Sequence, residues 1–112
     1  MESILESIKK LLGNNSDDYF DPDLIIYINS VFSTLHQLGV GPDTPFSIAG
    51  PDETWDDFQA ENLDASVKTY VMMRVKLMFD PPNNSFLIDN YKKQIEELEY
   101  RMNVRAEHEY RI

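Results

Sequence analysis

The 112-residue sequence predicts an all-α domain: a small bundle of four to five helices with a long loop containing one short extended segment. Three observations carry this. Tyr70, Val71, Met72, Met73, Val75, Leu77, Met78 and Phe79 make a stretch apolar on nearly every side, which Asp80-Pro81-Pro82 then stops. Two prolines in succession remove backbone donors and push the preceding residue out of the α region. Residues 20–40 carry start and stop signals at both ends of a three- and four-residue apolar repeat, and Ile88, Tyr91, Ile95, Leu98 and Met102 form a second such seam. A helix apolar all round is the central one of its domain, touched by neighbours on several sides. Arg74 and Lys76 interrupt it, and it is too short to cross a membrane.

The first helix is expected over residues 4–12. Ser3 and Glu6 have the capping-box spacing, Ile4, Leu5, Ile8, Leu11 and Leu12 form one stripe, and Gly13-Asn14-Asn15 ends it. The second covers residues 22–38. Asp21 is the expected N-cap with Pro22 at the first helical position, and Phe20 and Ile25 stand where a hydrophobic staple is made. Leu24, Ile28, Val31, Leu35 and Leu38, widened by Ile25 and Phe32, form its buried face, and Gly39 with Val40 gives a Schellman ending.

The loop 39–53 holds three of the four glycines and three of the six prolines around Phe46-Ser47-Ile48-Ala49. Alternation of Phe46 and Ile48 suggests a short strand. A lone strand has an edge that a neighbouring chain can extend; the alternative is an extended loop laid across the bundle with both side chains tucked in. Thr54 caps a short helix over residues 54–60, with Asp57 three residues on and Trp55 and Phe58 on one face. Trp55 serves either as a core plug or as an interface anchor. The central helix follows over residues 63–79, and the last over residues 85–102 packs back on it as an antiparallel hairpin. Beyond Met102 the apolar rhythm fades, so residues 103–112 are expected to be a mobile tail.

One domain is expected at this length, large enough to bury a core without staples. Cysteine is absent, which removes disulfides and Cys-based zinc sites and suits a reducing cytoplasm. Residues 1–12 lack the apolar block of a signal peptide. The net charge of −10 is unevenly placed. Residues 1–67 hold thirteen acids against Lys9 and Lys10, whereas residues 68–112 hold seven acids against eight Lys and Arg. No Lys or Arg occurs between Leu11 and Val67. Such a half is unsuited to gripping phosphates, which needs clustered cations; it is either a solubilising surface or one that sits near DNA without adhering.

Nothing marks a catalytic centre. His36 borders an apolar face, His108 is in the expected tail, and no nucleophile–base–acid set stands out. Asp17, Asp18, Asp21 and Asp23 lack EF-hand spacing, and the glycines are in neither Walker nor Rossmann order, so no metal or cofactor is expected. Lys92, Lys93, Arg101 and Arg105 alternate with Glu96, Glu97 and Glu99 as helix-surface pairs rather than a nucleic-acid stripe.

The run Lys68-Thr69-Tyr70-Val71, the run Arg74 to Pro82, Asn84-Ser85-Phe86-Leu87, the run Ile95 to Met102 and Thr54-Trp55-Asp56-Asp57 upstream resemble, in order and spacing, the small head–tail connector (adaptor or head-completion) proteins of long-tailed phages and prophages. The resemblance covers the last half of the chain closely and the first half in pattern. It implies a virion protein, assembled in the host cytoplasm, forming a homo-oligomeric ring between the portal vertex of the head and the next head-completion or tail component. Its partners would be itself, the portal, that downstream protein, and DNA passing through without specific binding; no membrane is involved. On this footing Phe46, Ile48, Trp55 and Phe58 are expected at subunit contacts, Asp52, Glu53, Asp56 and Asp57 facing the channel, and Arg101, Arg105, Tyr110 and Arg111 at the portal. The competing expectations are an acidic DNA-mimic inhibitor and a generic helical adaptor.

Overall fold

The computed structural model describes residues 2–13, 18–59 and 65–110, with side chains through Val104. Its helices are α1 (Ile4–Leu11), α2 (Asp21–Gln37), α3 (Trp55–Phe58), α4 (Ala65–Phe79) and α5 (Ser85–Tyr110). The described residues contain no sheet; the one extended pairing is an isolated antiparallel bridge between Ser3 and Thr54. The all-α expectation holds.

Local chemistry sets most of the helix ends. The Ser3 hydroxyl accepts from the Glu6 amide and starts α1. Thr54 and Asp57 form a reciprocal capping box at α3. At the end of α2, Gly39 takes φ +84°, its amide reaches the His36 carbonyl at 3.0 Å, and the Val40 amide reaches the Leu35 carbonyl at 2.9 Å. That is the double bond of a Schellman ending. Asn84 Oδ1 accepts from the Phe86 amide at 2.8 Å and opens α5 two residues past the proline pair.

Two boundaries differ from expectation. Phe20, not Asp21, occupies the N-cap position of α2, with no side-chain cap bond. The Asp21 carboxylate faces Lys9 instead. The fifth helix runs to Tyr110 rather than stopping at Met102. Residues 103–110 lack an apolar stripe, but they also lack Gly and Pro and include Arg105, Ala106 and Glu107, all strong helix formers. Loss of amphipathic rhythm ends packing, not helicity. Leu63, where the central helix was expected to start, and Arg111 and Ile112 of the tail lie outside the described residues.

The α4 helix contacts α1, α2 and α5. Tyr70, Val71 and Val75 are fully buried along it, and Val67 and Met73 nearly so. Around them Ile4, Leu5 and Ile8 of α1, Leu24, Ile28, Val31, Phe32 and Leu35 of α2, and Ile95 and Met102 of α5 complete one core. The α5 seam thus faces α4, as its spacing predicts.

The loop after α2 lies across this core. Asn29 grips its extended piece at both backbone groups of Ile48, accepting from the amide at 2.7 Å and donating to the carbonyl at 2.9 Å. Phe46 packs on Phe32 and Phe58 with ring centroids 5.1 and 5.4 Å apart. The segment is therefore the tucked-in loop, not an open strand: Asn29 supplies the hydrogen bonds that a neighbouring strand would. Farther on, the Ile4 amide bonds the Glu53 carbonyl at 3.0 Å and the Trp55 amide bonds the Glu2 carbonyl at 3.2 Å, tying the chain start to the loop end. Gly41 passes so close to this cluster, at φ +98°, that a Cβ there would stand 2.5 Å from Phe58 Cε1.

Asn29→Ala strips both bonds from the Ile48 backbone and is expected to lower unfolding free energy by about 1–3 kcal/mol. Gly41→Ala combines a left-handed backbone with a clash and is expected to cost about 1–3 kcal/mol. Urea unfolding followed by Trp55 fluorescence reads both, and unchanged midpoints would contradict the account of the loop.

Candidate interaction surfaces

Four expected subunit-contact residues turn out to belong to the chain's own core. Ile48, Trp55 and Phe58 are each under 5% exposed, and Phe46 is half-buried. The Trp55 indole N–H donates to the Ser7 hydroxyl at 2.8 Å, and Ser7 in turn donates to the Ile4 carbonyl at 2.9 Å. Phe32 gathers Phe46, Trp55 and Phe58 about it. Ile48, Trp55 and Phe58 thus pack within the chain's own core, and Phe46 keeps part of its ring exposed beside them. Their apolar character signalled burial, and the chain itself supplies the cover.

The acids expected at a channel divide by task. Glu53 accepts from the Ala49 and Gly50 amides, and Asp57 from the Thr54 amide, so both hold local backbone. Asp52 and Asp56 are exposed. Of the cations expected at a portal, Arg101 is exposed and paired with Glu97 one turn earlier. The side chains of Arg105 and Tyr110, and all of Arg111, lie outside the described residues.

Two polar clusters escaped the sequence reading. Lys9 is fully buried, its ammonium 2.7 Å from Asp18 Oδ1, 3.0 Å from Asp21 Oδ1 and 3.9 Å from Glu6 Oε1. The Asp18 carboxylate, opposed by desolvation and helped by Asp21 and Glu6, pushes its pKa up to about 12. The cluster pins the start of α2 to α1. Its signal was present: Lys9 follows Leu5 by four residues and Ile8 by one, and so falls on the apolar stripe of α1.

The second cluster joins α4 to α5. The fully buried Tyr70 donates its hydroxyl to Glu99 Oε2 at 2.7 Å and accepts from Arg74 Nη1 at 2.9 Å, while Arg74 also stands 3.4 Å from Glu99. Burial first, then the bond to Glu99, pushes the Tyr70 pKa up to about 12. Among the described residues no group of three His, Asp or Glu is arranged to hold a metal, and no helix is long and apolar enough to cross a membrane.

With the core closed, the large apolar side chains left outside gather on helices. Phe86 is 75% exposed and Tyr100 71%, both on α5, and Ile26 on α2 is 65% exposed. A second aromatic group, Tyr19 and Phe20, stacks edge-on toward Phe79 where α4 ends. The molecule is thus defined as a small all-helical interaction domain, with its buried polar groups spent on tying helices together. It belongs to the phage connector protein family, whose pattern matches residues 4–109, and is a connector-type structural protein of phage. Comparison with curated proteins and with solved structures finds no match to the chain.

Both shifted groups give the same alkaline signature. Lys9 and Tyr70 bind protons more tightly in the folded chain than in the unfolded one, whose values are about 10.4 and 10. Their contribution is therefore complete below about pH 10 and is lost as pH rises through about 12. Melting temperature is expected to fall across that window, and to fall less steeply in Tyr70→Phe. At neutral pH, Asp18→Asn with Asp21→Asn leaves a buried ammonium short of partners and is expected to cost about 3–5 kcal/mol. Lys9→Met keeps the apolar stem and is expected to cost much less, so the reverse order would refute this view of the cluster.

Proposed function

We propose that the protein forms a homo-oligomeric ring between the portal vertex of the phage head and the next head-completion or tail component, extending the DNA channel. Membership of the connector family supports the location. The observation that carries the mechanism is the charge layout: thirteen acids and two lysines in residues 1–67, with no Lys or Arg between Leu11 and Val67. A channel that retains DNA and later releases it must not bind phosphates tightly. Carboxylates repel the backbone over roughly a Debye length, about 8 Å at physiological salt.

In this reading the role is scaffolding rather than catalysis, and DNA passes without specific contacts. Asp52 and Asp56, exposed beside α3, are the acids best suited to border the channel. Glu53 and Asp57 support that stretch of backbone. The C-terminal segment that carries Arg101, Arg105, Tyr110 and Arg111 docks on the portal. The protein then resides in the virion at the head–tail interface after assembly in the host cytoplasm.

The acidic half also suits a DNA-mimic inhibitor. Such a decoy binds a basic protein with steep salt dependence, whereas a connector binds heads. A generic helical adaptor does neither.

Co-sedimentation with DNA-filled, tail-less heads of the source phage separates the three. Saturable binding of a fixed, small number of copies per head is expected, and deletion of Glu107 to Ile112 is expected to abolish it without loss of helicity. Absence of binding by well-folded protein would refute the connector role. Asp52→Lys with Asp56→Lys leaves the capping carboxylates in place and is expected to slow DNA ejection from completed particles. Unchanged ejection would remove these acids from the channel.

A further inference from the structure

Six of the nine large apolar side chains exposed among the described residues sit at one end of the bundle. Lys9, near the end of α1, meets Asp18 and Asp21 at the start of α2. Phe20 stacks on Phe79 at the end of α4, and the proline turn starts α5 beside it. At the other end Lys68 of α4 meets Glu2, which precedes α1, at 3.0 Å. So α1 and α4 run toward the first end, and α2 and α5 leave it. Leu11 is the last residue of α1, Tyr19 and Phe20 precede α2, Met78 is the second-last residue of α4, and Phe86 and Leu87 open α5 after Ser85. Tyr19 is 79% exposed and Phe86 75%. Single apolar side chains scattered over a surface are ordinary, but six gathered at one end of four helices mark an interaction site.

The charge at this end is acidic. Asp18, Asp23, Asp80 and Asp89 are exposed there, against Lys10 as the exposed lysine. Lys9 is buried, and the partly buried Lys76 stands 3.7 Å from Asp80. Two copies meeting through this end would set aspartates against aspartates, because an isologous contact pairs a patch with itself. An apolar surface that carries Lys or Arg meets it without that repulsion. The end also has a fixed place relative to the C-terminal segment. Tyr70, five residues after Ala65, bonds Glu99, so α5 draws level with the start of α4 near Val104, and residues 105–110 run past it. That overhang lies at the opposite end of the bundle from Leu11, Phe20 and Phe86.

We infer that the end formed by Leu11, Tyr19, Phe20, Met78, Phe86 and Leu87 is the docking surface for the next head-completion or tail component, which meets it with an apolar protein surface carrying Lys or Arg. The inference rests on the reading above that the C-terminal segment holds the portal. A subunit held there points its opposite end away from the head, where the next component arrives. The apolar side chains supply the area to be buried, and the aspartates favour a basic partner over a second copy of this chain.

The test uses an extract of cells infected with a phage that lacks this protein, which supplies heads, tails and every other component. Purified full-length protein is added back. Infective particles and images of tailed particles report joining, and protein sedimenting with the heads reports docking on the portal. Tyr19→Asp with Phe86→Asp is expected to leave head binding and melting temperature nearly unchanged while cutting infective particles about tenfold. Tail-less heads that carry the protein should accumulate. Tyr19→Phe with Phe86→Tyr is expected to join normally, and Asp23→Lys with Asp89→Lys to join poorly. Full joining by the Tyr19→Asp, Phe86→Asp protein would overturn the surface, and full joining by the lysine variant would overturn the basic partner. Fewer copies of a folded variant on the heads would also overturn the assignment, giving this end to the portal or to a second copy. If the wild-type protein itself stays off the heads, the connector reading fails and this assignment with it.

Discussion

Everything else in this domain follows from a helix whose apolar face is too broad for one partner helix to cover. Residues 67–75 bury Val67, Tyr70, Val71, Met73 and Val75 around a little over half of the circumference of α4. One partner helix covers only one flank, so α1, α2 and α5 must all be folded against it. The proline pair after Asp80 fixes the length of α4 and turns the chain back, which places α5 antiparallel on it. Tyr70 adds a buried hydroxyl to this surface, and Arg74 and Glu99 satisfy it across the α4–α5 contact. The polar groups in the core therefore act as registration points: Tyr70 for α5, Lys9 for the start of α2, Asn29 for the loop and Ser7 for Trp55.

That economy determines what remains for assembly. Covering α4 within one chain uses the inner faces of α2 and α5 and the aromatic loop, so Ile48, Trp55 and Phe58 are buried and only Phe46 keeps partial exposure. What is left outside are the outer faces of the same two helices and an acidic segment whose carboxylates partly serve its own backbone. A connector subunit so built can be folded before it meets its partners. Its stability does not depend on an unpaired strand finding a neighbour.

Most of the fold was legible because its signals are local. The Schellman ending at Gly39, the capping box at Thr54 and Asp57, the proline stop and the seam of α5 each depend on residues within one or two turns of each other. What the sequence left open or misplaced shares a cause: it concerns residues whose partners are distant in sequence. Asp21 has the spacing of a cap, yet Lys9 on another helix claims it. Phe46 and Ile48 alternate like a strand, yet Asn29, nineteen residues back, bonds the segment. Helical spacing locates Trp55 on an apolar face but does not say whether its own chain or another covers that face. The extension of α5 past Met102 is a different lesson, since the seam reports where α4 ends and residue propensity reports where the helix ends.

The central claim is that this prefolded slab docks at the head vertex as a ring without dismantling its core. The most direct measurement is imaging, at a resolution that separates helices, of the vertex of DNA-filled heads incubated with the purified protein. The account predicts a closed ring in which each subunit fits the five-helix domain as a rigid body, with α4 still covered by α1, α2 and α5. A vertex with no added density, or a ring whose subunits have exposed α4 by moving α2 or α5 away from it, would contradict it.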